Sequence, residues 1–232
     1  MKVLIIIPAY NEGKNIRKVI SNLQIVCPQY DYIIVNDGSN DDTVNICIKE
    51  KYNYIDLPVN LGIGGCVQTG YIYANEKGYD IVIQFDGDGQ HEAKYINNLI
   101  KPIVDGYADV TIGSRFIEKE GFQSSRIRRI GIKFLSFIIK LCIKEKILDV
   151  TSGFRAANQK MVGIFAKDYA QDYPEPEAII ISKLNNTKIK EIPVVMNERH
   201  SGTSSIYAVR SLYYMIKVSL AVIIERLTYK KG

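Results

Sequence analysis

The sequence predicts an α/β fold built on a mostly parallel sheet flanked by helices. Three observations carry this. Five short apolar runs alternate with helix-period stretches between residues 2 and 115, the order of parallel βαβ units. The runs close in polar, acidic or glycine residues, and ligands of such sheets bind outside the carboxyl ends of the strands. The 232 residues are 47% hydrophobic and 24% charged, which suits one large soluble α/β domain or two small ones.

Lys2–Ile7 reads as a buried parallel strand ended by Pro8. Asn11-Glu-Gly-Lys-Asn15 leads into a helix with Ile16, Val19, Ile20 and Leu23 on one face. Tyr30–Val35 is a second strand, closing in Asn36-Asp37-Gly38-Ser39. Asn40, Asp41 and Asp42 are capping types before a helix through Val44, Cys47 and Ile48. Tyr52–Leu57 is a third strand; Asn60-Leu-Gly-Ile-Gly-Gly65 then opens a helix to about Lys77. Asp80–Phe85 is the fourth strand, and the helix after His91 carries Tyr95, Leu99 and Ile100. Asp109–Ile112 is the fifth, ending in Gly113-Ser114-Arg115.

The chain is organised around Ile81–His91, a strand that ends in two carboxylates separated by one glycine. On an extended backbone Asp86 and Asp88 share a face, with Gln90 next in line. Oxygen donors so placed suit Mg²⁺ or Mn²⁺, which take one or two carboxylates and complete their shell from water and substrate phosphate. Gly87 and Gly89 allow close approach of a ligand. A plain acidic turn is the bland alternative. A calcium loop is excluded, because His91 stands where its glycine belongs and Asn97 where its bidentate Glu belongs. Gly62-x-Gly64 starts a dinucleotide fingerprint, but Val67 breaks it and the first turn reads Pro-Ala-Tyr-Asn-Glu.

Four scattered cysteines without C-x-x-C spacing, and only two histidines, argue against zinc or a disulfide framework and fit a reducing compartment. Net charge is +5, so placement of the cations matters more than their sum. Lys2 runs straight into the first strand, so no leader is expected. Beyond Arg115 the pattern changes. Glu118–Ser124 reads as a mobile loop, and a basic amphipathic helix occupies about 125–146, with Arg126, Arg128, Arg129, Lys133, Lys140, Lys144 and Lys146. Asp149–Arg155 is a polar turn, Tyr173-Pro-Glu-Pro-Glu177 precedes a helix, and Lys188–Met196 is an edge strand interrupted by Pro193. Glu198–Ser205 is a polar loop, and Ile206–Leu227 an apolar helix divided by Lys217, short of a membrane span. Both late helices fit a membrane interface or a packed core. The basic helix comes with no nucleic-acid-binding module, so nucleic acid is not an expected partner.

Pro8-Ala-Tyr-Asn-Glu12, Asn36-Asp-Gly-Ser39, Asn60-Leu-Gly-Ile-Gly64, Asp86-Gly-Asp-Gly-Gln90, Gly113-Ser-Arg115, Asp149 with Ser152-Gly-Phe-Arg155, and Arg199-x-x-Gly202-x-Ser-Ser205 form an ordered set. The set resembles the family 2 glycosyltransferases with a GT-A fold, of the dolichyl-phosphate mannosyltransferase type. The resemblance implies a catalytic domain over residues 1–205 and a separate terminal helix over 206–232. It implies a nucleotide-diphosphate sugar donor, inversion at the anomeric carbon and a polyprenyl-phosphate acceptor. Extension of a cell-wall or capsular glycan, or a non-catalytic nucleotide-sugar-binding scaffold, are the alternatives.

By position, Pro8, Tyr10, Glu12, Asp37 and Gly62 fall on the nucleotide side. Asp86, Gly87, Asp88 and Gln90 fall on the metal and diphosphate, Arg115 and Arg199 on phosphates at the reacting centre, and Ser205 on an acceptor phosphate. Asp88, Arg115 and Arg199 are thus the catalytic candidates. Glu177 or Asp149 would be a base only for a hydroxyl acceptor, since a phosphate is already ionised. The implied place is cytoplasmic, peripheral on the inner face of the cell membrane, beside a small membrane partner protein, with a homo-oligomer left open.

Overall fold

The computed structural model describes residues 1–123, 125–198 and 208–228, the last segment with side chains from residue 215. In chain order the elements are β1 (Val3–Ala9), α1 (Ile16–Val26), β2 (Asp31–Asn36), α2 (Thr43–Lys49), β3 (Tyr54–Asp56), α3 (Gly62–Glu76), β4 (Ile81–Gln84) and α4 (Ile96–Val104). They continue with β5 (Val110–Ser114), α5 (Arg126–Ile143), β6 (Arg155–Asn158), α6 (Gln159–Lys167), α7 (Pro174–Leu184), β7 (Ile189–Pro193) and α8 (Ala208–Thr228). The strands make one sheet in the order β3-β2-β1-β4-β6-β5-β7.

All seven residues of β1 are buried, as a central strand covered on both faces requires. The strand runs past the expected stop at Pro8. Pairing with β4 ends at Ile6↔Gln84, so beyond that point the missing N–H of Pro8 costs no ladder bond on that side. Alternate residues of β1 enter two cores: Leu4 and Ile6 pack with α3, α5 and α6, while Ile5 and Ile7 pack with α1 and α4. In α1 the buried residues are the expected Ile16, Val19, Ile20 and Leu23.

Glycines in α3 serve packing. A Cβ on Gly64 would lie 2.2 Å from the Ala170 carbonyl, and one on Gly70 would lie 2.5 Å from Ile6 Cγ2. The helix thereby approaches both the sheet and the turn after α6.

The sheet is mixed, a difference from simple βαβ repetition. β6 inserts antiparallel between β4 and β5, pairing Gln84↔Arg155 and Ile112↔Arg155. Its Arg-Ala-Ala-Asn sequence lacks β-branched residues, yet Ala156 and Ala157 are buried between the two neighbouring strands. Asn158 then caps α6, its side-chain oxygen accepting from Met161 N at 3.1 Å. Tyr173-Pro-Glu-Pro-Glu177 does not precede α7; it spans the N-cap and first turn, where proline and acidic residues are favoured. β7 is the sheet edge, as its proline required.

The stretch expected to be mobile is tied down over its described residues. Phe122 N donates to Met196 O at 3.0 Å, and a Cβ on Gly121 would lie 2.5 Å from Val195 Cγ1. Ser124 lies outside the described residues.

Both late helices bury one face. Ile132, Leu135 and Ile139 of α5 share a core with Val218 and Val222 of α8. Their outer faces leave Ile127, Ile130, Phe134, Phe137 and Leu141, and Ile216, Leu220, Ile224 and Leu227, exposed. Among the described residues no helix is long and apolar enough to cross a membrane.

Candidate functional site

The carboxyl ends of β1, β2, β4 and β5 place the site. At the end of β4 the backbone does not stay extended, as the shared-face argument assumed. Gly87 and Asp88 form a turn, Gly89 adopts φ 78°, and Asp88 Oδ1 accepts from Gln90 N at 3.0 Å. The side-chain bond to the backbone two residues on is what curls the chain. Asp88 is buried; the Asp86 side chain is 31% exposed and is the carboxylate open to solvent. Gln90 turns toward the segment after β7, donating from Nε2 to Asn197 O at 3.2 Å while its carbonyl accepts from Asn197 N at 2.9 Å. Gly87 N donates to Pro8 O at 3.3 Å, which stitches the turn to β1.

Three neighbours fix Asp86. Gln84 Nε2 donates to Asp86 Oδ1 at 3.2 Å. His91 Nδ1 accepts from Asp86 N at 3.0 Å, and its Nε2 lies 3.6 Å from Asp86 Oδ2. The third is Gly153, where a Cβ would come within 2.9 Å of Asp86 Oδ2 and 3.1 Å of Oδ1. Any side chain there would fill the space in front of the carboxylate.

On the nucleotide side, Tyr10 is 48% exposed just beyond β1, and Glu12 Oε2 accepts from Asn15 Nδ2 at 2.6 Å. Asp37 is buried, and its Oδ1 accepts from Leu61 N at 2.7 Å, so it holds the loop that leads to Gly62. Gly62 takes φ 78° with no atom within 4 Å of a Cβ position, so the space beside its backbone is open. Cys66 lies beneath this region; burial, then the charges of Asp37 and Asp86, push its thiol up to about 12.

Arg115 is buried and paired. Its Nε and Nη2 donate to Asp149 Oδ2 and Oδ1, both at 2.7 Å, and Nη2 also reaches Thr151 Oγ1 at 3.1 Å. Asp149 has no exposed surface and also accepts from Arg115 N at 3.1 Å. Glu191 of β7 in turn accepts from Leu148 N and Asp149 N, both at 2.8 Å. A carboxylate so enclosed cannot serve as a base, which corrects that role for Asp149. Its task is to hold Arg115. Among the described residues the Nη1 edge of Arg115 makes no hydrogen bond, leaving that edge for a ligand.

The two glutamates at the start of α7 face different surroundings. Glu175 sits with Gln84, Arg155 and Asp86; burial raises its pKa, Arg155 opposes this and Asp86 adds to it. Arg155 braces this corner, donating to Ser152 O at 2.7 Å, Glu175 O at 2.6 Å and Val150 O at 3.2 Å. Glu177 faces Glu225, Asp172 and Asp168 instead, and burial with those charges raises it to about 7. Glu175 thus feels the charges of Arg155 and Asp86, and Glu177 those of Glu225, Asp172 and Asp168. Arg199 and Ser205 lie outside the described residues.

The donor set fits Mg²⁺ or Mn²⁺. Asp86 offers a partly exposed hard oxygen donor with the space before it kept clear by Gly153, and Asp88 lies two residues away. Among the described residues no three acidic, histidine or cysteine side chains converge, so further oxygens would come from solvent and substrate. Sequence reasoning gave no role to Gln84, His91, Arg155 or Glu175. Gln84 had a signal: a polar residue inside an otherwise apolar strand needs a buried partner.

Comparison with known proteins bears on the family and the fold. The family model described as glycosyl transferase family 2 matches residues 4–164. The UDP-N-acetylglucosamine–dolichyl-phosphate N-acetylglucosaminyltransferase of Methanococcus voltae is 31% identical over 249 residues, covering 96% of this chain and 98% of that protein. The polyprenol monophosphomannose synthase of Mycolicibacterium smegmatis is 26% identical, covering 100% and 91%. The solved structure of glucosyl-3-phosphoglycerate synthase from Mycobacterium tuberculosis with Mn²⁺, UDP and phosphoglyceric acid shares the fold at TM-score 0.74 and 18% identity, covering 100% of this chain and 80% of that one.

Proposed function

The chain belongs to glycosyl transferase family 2, and from that premise we propose that it moves a sugar, with inversion, from a nucleoside-diphosphate donor to a polyprenyl phosphate at a membrane surface. The observation that carries this reading is the oriented, partly exposed Asp86 carboxylate beside Asp88 at the end of a central strand. Relatives named for dolichyl and polyprenol phosphate supply the acceptor class.

Asp86 and Asp88 would hold a divalent ion, which when bound offsets the charge growing on the leaving diphosphate. Asp37 and the Gly62 loop form the wall for the nucleoside. The open Nη1 edge of Arg115, held in place by Asp149, donates to a phosphate oxygen at the reacting centre. Arg199 and Ser205 receive the acceptor phosphate on the resemblance alone.

A phosphate acceptor attacks without a base. A hydroxyl acceptor would need one; in the second reading, glycan extension, Glu175 would take that role, its pKa raised by burial against the opposing charge of Arg155, with Asp86 adding to the rise.

The acceptor side faces α5. An open groove of about 720 Å³ is lined by Lys119, Arg126, Arg129, Lys133, Lys140 and Lys146, and by Phe116 and Leu148, the chain neighbours of Arg115 and Asp149. Cations beside the exposed Phe134 and Phe137 suit anionic headgroups over an apolar layer. A panel of nucleoside diphosphates and their sugars, with and without Mn²⁺ or Mg²⁺, tests the donor. One nucleotide should raise the unfolding temperature only with metal. Stabilisation by none of them, or equal stabilisation in EDTA, would contradict the reading.

A further inference from the structure

We propose that His91 and Gln84 are positioning residues that clamp the Asp86 carboxylate from opposite sides in the geometry a divalent cation needs. The inference rests on the reading of Asp86 as a metal carboxylate.

His91 closes the turn that it ends. Its Nδ1 accepts from Asp86 N at 3.0 Å, so in the neutral ring the proton sits on Nε2. That N–H faces Asp86 Oδ2 at 3.6 Å, too long for a hydrogen bond but close enough for charge–dipole attraction. The ring cannot swing away. It stacks on Phe154 with centroids 4.8 Å apart and planes 16° apart, and meets the edge of Phe85 at 5.4 Å and 80°. The side chain is 3% exposed, so the imidazole is part of the wall and not a ligand waiting at the surface.

Gln84 holds the other oxygen. Its Nε2 donates to Asp86 Oδ1 at 3.2 Å, and its Oε1 accepts from Tyr169 OH at 3.4 Å. Tyr169 is itself buried against Tyr71 and Phe165. Each oxygen of Asp86 is thus oriented by a group whose own position is fixed by aromatic packing. An unclamped aspartate would spend time in rotamers that point away from the ion. Partners of this kind typically change metal affinity about ten- to a hundredfold.

The test uses the full chain and Mn²⁺ alone, titrated by the loss of the free-ion paramagnetic resonance signal. His91→Phe keeps the stacked ring and removes both nitrogens. His91→Asn keeps an acceptor near the Nδ1 position and loses the Nε2–H. Gln84→Met removes the amide. His91→Phe and Gln84→Met should weaken Mn²⁺ binding by about tenfold or more, and His91→Asn should recover part of the loss. Metal-free unfolding temperatures should stay within a few degrees of wild type, which separates the clamp from a general loss of fold. Unchanged Mn²⁺ affinity in His91→Phe and Gln84→Met would overturn the clamp alone. A wild-type protein that binds no Mn²⁺ while Asp88→Asn behaves identically would overturn the metal reading together with it.

Discussion

Asp149→Asn is the substitution with the sharpest expected outcome. The wild-type carboxylate is fully buried and meets Arg115 through two hydrogen bonds of 2.7 Å. Removing one partner of a buried pair leaves an uncompensated charge and costs about 3–5 kcal/mol. For a chain of this size each kcal/mol lowers the unfolding temperature by about 2–4 °C, so the drop should be roughly 6–20 °C. Sugar transfer should fall as well, because Arg115 loses the bonds that aim its open edge.

A second variant separates the two effects. Replacing the pair by Arg115→Met with Asp149→Leu removes both charges, and such exchanges are often neutral or stabilising. The double variant should regain most of the lost stability and none of the transfer. Differential scanning calorimetry and a transfer assay on the same preparations measure both. Asp149→Asn with wild-type stability and rate would refute the pairing argument, and so would a double variant that transfers normally.

Two further outcomes follow. Glu177 has a folded pKa raised to about 7, so its contribution is full below its ordinary value of 4.5 and is lost as pH rises toward 7. Wild type should therefore lose roughly 1–2 kcal/mol more than Glu177→Gln between pH 5 and pH 8, after allowance for partial exposure, as read from urea midpoints. Parallel pH profiles would show that Glu177 does not feel its acidic neighbours. The cations of α5 should bind anionic vesicles, with about 1 kcal/mol from each residue close to the surface. Flotation should weaken with salt and with Lys133→Glu plus Lys140→Glu, and no binding to anionic vesicles at low salt would remove the membrane face.

Much of the fold was legible because its signals are local. The face of α1 follows from period, the edge position of β7 from Pro193, and the site from polar residues placed after strands. The parts that were not legible depend on tertiary context. β6 is a strand because it pairs with β4 on one side and β5 on the other, and nothing in Arg-Ala-Ala-Asn announces that. Asp86 and Asp88 were singled out on an extended geometry that Asp88 itself breaks by bonding to Gln90 N. Glu175 and Glu177 were indistinguishable in sequence. Two residues apart on a helix they point about 200° apart, so Glu175 feels Arg155 and Asp86 while Glu177 feels Glu225, Asp172 and Asp168. Asp149 is a candidate base by sequence, and only tertiary packing buries it against Arg115.

The central claim is metal-dependent transfer of a sugar to a lipid phosphate at Asp86 and Asp88. Its most direct test offers radiolabelled nucleotide sugars to the protein with polyprenyl phosphate in anionic vesicles, followed by extraction into organic solvent. The account predicts that one donor yields label in the lipid phase with Mn²⁺ or Mg²⁺, that EDTA abolishes it, and that Asp88→Asn abolishes it without unfolding the protein. Full transfer in EDTA or by Asp88→Asn would contradict the metal site, and label appearing only in a glycan while polyprenyl phosphate stays unmodified would contradict the acceptor.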